Sequence, residues 1–253
     1  MACQIEVLFT PAECRGLRDR DLSKATCVVF DVLRATSTMV TALANGANAV
    51  IPVEEISEAM VLHKQQPEFL LAGERDGLRI RAAQSGGVDF DLGNSPREYI
   101  RDRVAGKTIV TTTTNGTMAL HACALAGSVL AGSFLNLAAT TLHLIRNTPT
   151  ELLLVCAGTG ENAALEDVVA AGALCDLLTN VGPEFRKLDS ASVAWHCFLN
   201  VNHNVAAAIR ESDNARRLLT IPELRDDVEF CLRRECFPLV AALGRNGALE
   251  RLA

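Results

Sequence analysis

Residues 151–178 read ELLLVCAGTGENAALEDVVAAGALCDLL, and this stretch decides the fold. A short apolar run at 151–155 predicts a strand buried on both faces. The small-residue turn Cys156-Ala-Gly-Thr-Gly160 ends it, and an apolar helix is predicted from about 165 to 178. The same order recurs upstream. Residues 25–30 (ATCVVF) run into Asp31 and a helix over about 35–44; residues 107–113 run into Asn115-Gly116-Thr117 and a helix to about 126. Between these lie predicted strands at 49–53, 69–72 and 128–131 and a helix at 54–64, with a first strand at 5–10 expected on a sheet edge. Alternating β and α units of this length predict a three-layer α/β/α fold with a mostly parallel, mixed sheet. Beyond about Pro183 the pattern turns helix-rich, with 190–210 and 213–230 as the longest pieces. No linker or repeat interrupts residues 1–253, which read as a single domain.

Ligands of parallel sheets gather beyond the carboxyl ends of the strands. Asp31, the 113–117 turn and the 156–160 turn are therefore expected on one rim.

Composition narrows the function. A chain of 253 residues that is 49% hydrophobic can bury a sizeable core. A net charge of −6 with scattered Lys and Arg speaks against nucleic acid as a partner. The pairs Arg216-Arg217 and Arg233-Arg234 read as solvated helix faces. No apolar run is long enough for a bilayer, so no membrane association is expected. Nine cysteines without a Cys-x-x-Cys pair, behind a charged N-terminal stretch, point to the reducing cytoplasm. An apolar C-terminal helical region makes a homodimer an open expectation.

Several catalytic patterns are absent. A cysteine phosphatase needs Cys-x5-Arg, and Asn162 stands where Cys156 would need its arginine, so Cys156 reads as a packed thiol. Gly106-Lys107-Thr108 lacks the first P-loop glycine, because position 101 is Arg101. His196 and His203 lie seven apart on a predicted helix, too far to share a zinc ion.

What remains is a set of polar strand ends. Thr113, Thr114, Asn115, Gly116 and Thr117 offer hydroxyls and N–H groups to phosphate or sulfonate oxygens, although a capped β-branched strand would need the same residues. Asp31 can bind a cation or act as nucleophile, and Arg34 can grip a phosphate bidentately. Leu33 excludes the second aspartate of a haloacid-dehalogenase-type phosphatase. The glycine-punctuated loops 73–77, with Glu74 and Arg75, and 89–96, with Asp91, Asn94 and Ser95, are places where Mg²⁺ ligands commonly sit. Ser95-Pro96 reads as an N-cap followed by a first-turn proline. Glu166 and Asp167 open a helix, and as neighbours at most one reaches a given ligand directly.

Taken together, these loops resemble the 2-phosphosulfolactate phosphatase family. The matching stretches are 31–38 (DVLRATST), 73–75 (GER), 90–96 (FDLGNSP), 111–117 (TTTTNGT), 132–136 (GSFLN) and 156–159 (CAGT) with Glu166-Asp167. They cover about residues 25–175. Asp89 stands where the family pattern has glycine, and residues 238–240 match its ending only loosely. The resemblance implies Mg²⁺-dependent hydrolysis of (2R)-O-phospho-3-sulfolactate to (2R)-3-sulfolactate and phosphate, a step of coenzyme M biosynthesis. On that expectation Mg²⁺ is held by carboxylates drawn from Asp31, Glu74, Asp91, Glu166 and Asp167. Asp31, Arg34, Glu74, Arg75 and Asp167 form the catalytic set. Thr113, Thr114, Asn115, Gly116, Thr117, Asn94, Ser95 and Gly158 bind the phosphate ester. A different phosphorylated hydroxy acid, or a protein that binds the anion without turnover, are the alternatives.

Overall fold

Strands form where the apolar runs are covered on both faces, and they pair into one sheet of eleven among residues 2–180 and 184–252, which the computed structural model describes. In chain order they are β1 (Cys3–Leu8), β2 (Ala25–Phe30), β3 (Ala49–Pro52), β4 (Leu70–Arg75), β5 (Leu78–Arg79) and β6 (Thr108–Thr112). Then come β7 (Ser128–Gly132), β8 (Glu151–Cys156), β9 (Phe185–Lys187), β10 (Ala241–Leu243) and β11 (Leu249–Arg251). Their order across the sheet is β5-β4-β6-β3-β11-β10-β7-β2-β8-β1-β9.

Period-two alternation divides the core. Val28, Phe30, Leu152 and Leu154 face one cluster, with the helices Leu165–Thr179 and Asp189–Val201 packed over it. Cys27, Val29, Leu153 and Val155 face the opposite cluster, under the helix Ala35–Ala44. Each inward side chain leaves water, which favours folding by roughly 1.5–3 kcal/mol for a Val, Leu or Phe. The result is the expected three-layer α/β/α arrangement.

The sheet departs from one parallel rim. β7, β2, β8, β1 and β9 run parallel to one another, as do β3, β6 and β4. The hairpin β10–β11 joins the two blocks through three antiparallel pairings, so the blocks run in opposite senses. In a flat sheet this would send their carboxyl ends to opposite edges. A twist of about 20–25° per neighbour, over the five steps from β6 to β2, turns one block through more than a right angle relative to the other. Their carboxyl ends can then share a cavity.

Several expectations are corrected. The first strand ends at Leu8 and is not the edge, because β9 pairs outside it. Thr10 instead caps the helix Pro11–Gly16, its hydroxyl accepting from the Glu13 N–H while Glu13 reaches back to the Thr10 N–H. The helix predicted over 190–210 breaks after Val201 and resumes at Val205–Arg210, capped by Asn204. That over 213–230 splits into Asp213–Leu219 and Arg225–Cys231, with Pro222, which has no N–H to continue a helix, between them. The hairpin β10–β11 was not expected in a helix-rich tail. The proposed boundary at Pro183 lies outside the described residues.

Candidate active site

Acidic and amide side chains tie the strand-end loops to one another, and Asp31 presents its carboxylate among them. Asp31 follows β2. Its N–H donates to Thr36 Oγ1 at 3.0 Å, and its Oδ1 accepts from the Ala35 N–H at 2.9 Å, which fixes the start of the following helix. Its Oδ2 makes no hydrogen bond within the described chain. A Cβ on Gly116 would lie 2.5 Å from that oxygen and 2.6 Å from Ala35 Cβ. Glycine at 116 thus serves close approach of the carboxylate. Burial pushes the Asp31 carboxyl up to about 7, with repulsion from Glu74 and Glu166 added, against the Ala35 N–H and the Arg34 charge.

Glu74 links two loops. Its Oε1 accepts from the Thr114 N–H and hydroxyl, both at 2.9 Å, and its Oε2 from the Gly77 N–H at 2.7 Å. Asp167 does the same for the loops after β2 and β8 in the other block, accepting from the Val32 N–H at 2.8 Å and the Gly158 N–H at 3.1 Å. Burial, then Asp31 and Glu166, hold the Asp167 carboxyl well above its usual range. Asn115 donates from Nδ2 to the carbonyls of Ala157 and Gly160, each at 3.0 Å. Gly158 has φ +73°, and a Cβ there would lie 2.4 Å from the Asn162 carbonyl, so only glycine fits this turn.

These loops enclose a cavity of about 290 Å³. That is the small end of ligand sites, suited to a small molecule rather than a polymer. Asp31, Arg34, Glu74 and Asn94 face it, as do Thr113, Thr114, Asn115 and Gly158. The other expected residues lie elsewhere. Gly116, Glu166 and Asp167 stand outside the lining. Thr117 is buried, its hydroxyl donating to the Thr113 carbonyl and its N–H to the Thr113 hydroxyl. The Arg75 guanidinium donates to the Glu74 carbonyl and Thr112 Oγ1. Asp91 is exposed and accepts from the Leu71 N–H. Ser95 leaves the turn Pro96–Glu98 uncapped and donates to Asp227 Oδ1 at 2.7 Å.

Arg34 is committed as well. It is 3% exposed, and its Nη1 donates to the fully buried Asp227 at 2.7 Å while Nη2 donates to the Gly77 carbonyl at 2.6 Å. The sequence reading missed Asp227, and with it Asp76, Asn214 and Arg217 of the cavity wall. Residues 226–231 (DDVEFC) of the tail also resemble the family in sequence, and that stretch was the available signal. Arg217 carried none, since half of a surface arginine pair looks like any solvated helix face. Cys156 is fully buried with its thiol pushed far up by desolvation, so it is a packed thiol and no nucleophile.

The family model of 2-phosphosulpholactate phosphatase matches residues 13–246 and so includes the helices that carry Asn214, Arg217 and Asp227. A protein of Thermotoga maritima named probable 2-phosphosulfolactate phosphatase is 40% identical over 236 residues, covering 92% of this chain and 91% of its own. One of Caldanaerobacter subterraneus with the same name is 38% identical, covering 93% and 94%. A third, of Caldicellulosiruptor saccharolyticus, is 37% identical over 253 residues, covering 97% and 99%. The cavity's walls are thus drawn from a match that spans nearly the whole chain, and the chain belongs to the 2-phosphosulpholactate phosphatase family.

Proposed function

We propose that the protein is a phosphoric monoester hydrolase that cleaves (2R)-O-phospho-3-sulfolactate to (2R)-3-sulfolactate and phosphate. The observation that carries this reading is the convergence of the family's strand-end motifs on one small cavity, where Asp31 presents an uncommitted carboxylate oxygen. Thr113, Asn94 and Gly160 offer a hydroxyl, an amide and a backbone N–H to the phosphoryl group. Arg34, anchored by Asp227 and the Gly77 carbonyl, forms part of the wall beside them. The reaction type is that of coenzyme M biosynthesis. Nine free cysteines, seven of them buried, support a reducing compartment, and among the described residues no helix is long and apolar enough to cross a membrane.

Magnesium fits the donor set in part. Among the described residues no three His, Cys, Asp or Glu side chains form a closed cation cage, but Mg²⁺ usually takes only one or two carboxylates and keeps waters and substrate oxygens. Asp31 faces the cavity with Oδ2 unspent and would hold it, Glu74 faces it with both oxygens already accepting from Thr114 and Gly77, and a cation would offset the burial and the added repulsion that raise the Asp31 carboxyl. Glu166 stands behind Asn214 with its Oε2 buried and without a partner, a second oxygen able to turn towards a cation. Asp91 and Asp167 fit less well, the first outside the cavity and the second with both oxygens engaged by N–H groups. When bound, the ion would neutralise phosphate charge and lower the pKa of an attacking water.

Phosphate release should be measured with phosphosulfolactate and phospholactate, in Mg²⁺ and in EDTA. Mg²⁺-dependent release that is fastest with phosphosulfolactate is expected. Tight sulfolactate binding by folded protein without any release would instead identify an anion-binding protein.

A further inference from the structure

We propose that Arg217, held in place by Asn214, binds the anionic group of the substrate that is not transferred, the sulfonate or carboxylate of a small phosphorylated hydroxy acid. The inference rests on the phosphatase reading and adds where the second charge of the ester is recognised.

Two arginines reach the cavity in opposite states. Arg34 is buried, its charge compensated by Asp227 and its fork occupied by Asp227 and the Gly77 carbonyl. Arg217 is exposed, and among the described residues its guanidinium makes one hydrogen bond, from Nη2 to Asn214 Oδ1 at 3.1 Å. Among the described residues it pairs with no carboxylate, whereas its neighbour Arg216 pairs with Glu211. The acids of the same cavity, Asp31, Glu74 and Asp76, make no ion pair with it either. Arg217 is therefore the cavity's uncompensated cation.

Its position is set from behind. Asn214 is 7% exposed, and its Nδ2 donates both to the Leu33 carbonyl and to Glu166 Oε1. That double donation fixes the amide, so Oδ1 must face Arg217 and accept from it. A Cβ on Gly77 would lie 3.8 Å from Nη2 of Arg34 and equally far from Nη2 of Arg217, so the two guanidiniums flank the same glycine. Glycine at 77, with φ +80°, leaves that space open. A guanidinium with only one donor spent can still grip a sulfonate or carboxylate with two N–H groups. A solvated helix-face arginine would need neither the locked amide behind it nor the cavity before it.

The test is steady-state kinetics on three esters: phosphosulfolactate, phospholactate, which lacks the sulfonate, and the phosphate ester of 2-hydroxypropanesulfonate, which lacks the carboxylate. Arg217→Ala should lower kcat/KM for phosphosulfolactate roughly 10- to 100-fold, mainly through KM, the loss expected for a charge-assisted hydrogen bond. It should cost under about threefold on at least one truncated ester, and the ester spared names the group that Arg217 reads. Arg217→Lys should show the same selectivity with a smaller loss, and it carries the test should the alanine variant fail to fold. Equal losses on all three esters, or no loss on phosphosulfolactate, overturn the proposal. If the unaltered protein releases phosphate from none, the phosphatase reading fails, and calorimetry with 3-sulfolactate decides on Arg217 separately. Binding that Arg217→Ala abolishes supports the subsite; binding that it leaves unchanged, or no binding to the unaltered protein, overturns it.

Discussion

Asp31, the proposed centre of the site, carries a stability cost of its own. A carboxyl whose pKa rises from 3.8 in the open chain to about 7 in the fold binds more protons folded than unfolded between those values. Stability therefore falls as pH climbs from about 4 to 7, because the charged form is the poorly solvated one. Glu166 and Asp167, also raised by burial, push in the same direction. In EDTA, the melting temperature should drop across that window, and Asp31→Asn should flatten the drop while keeping the acceptor for the Ala35 N–H. A parallel slope in both proteins would remove Asp31 as its source. Gly116→Ala tests the close approach: the new Cβ would meet Asp31 Oδ2 at 2.5 Å, and a destabilisation of about 1–3 kcal/mol with impaired turnover is expected from denaturant titration and phosphate assay. At this scale the sequence was readable where a residue ends a strand, as with Asp31, Glu74 and Asn115. It misled where polarity alone was the signal. Arg75, Asp91 and Ser95 read as ligands, but none lines the cavity, and their hydrogen bonds go to backbone groups, to the Thr112 hydroxyl or to Asp227.

Among the elements, periodic strands and long helices were legible because their patterns repeat over several residues, whereas β10 and β11 are three residues each. Asn246-Gly247 between two apolar pieces is a hairpin signal that the helix-rich reading of the tail passed over. The hairpin is nonetheless structural: Leu249 is fully buried and pairs with Val50, and Ala241 pairs with Ala131. Leu249→Ala should cost about 2–5 kcal/mol by the removal of a buried side chain from a joint between two sheet blocks, read as a shifted urea midpoint. A loss below 1 kcal/mol would mean that the blocks hold together without it. Sheet direction was invisible to a local reading, since a strand's sense depends on partners far along the chain.

On the scale of the molecule, the C-terminal helices complete a cavity whose floor is built from the first two-thirds of the chain. Asp227 compensates Arg34 across 193 positions and accepts from Ser95 across 132. Replacing Asp227 with alanine would leave a buried guanidinium without its counter-charge, a change of about 3–5 kcal/mol. Thermal melting should therefore show marked destabilisation in Asp227→Ala, together with loss of turnover in whatever fraction remains folded. A stable, active variant would show the pair to be dispensable. The hairpin has a consequence for how the chain is made. Its strands enter the middle of the sheet between β3 and β7, so a ribosome must finish residue 251 before the two halves can be closed. Until then the emerging polypeptide carries two open strand edges, one on each block, that no other strand of the sheet can cover.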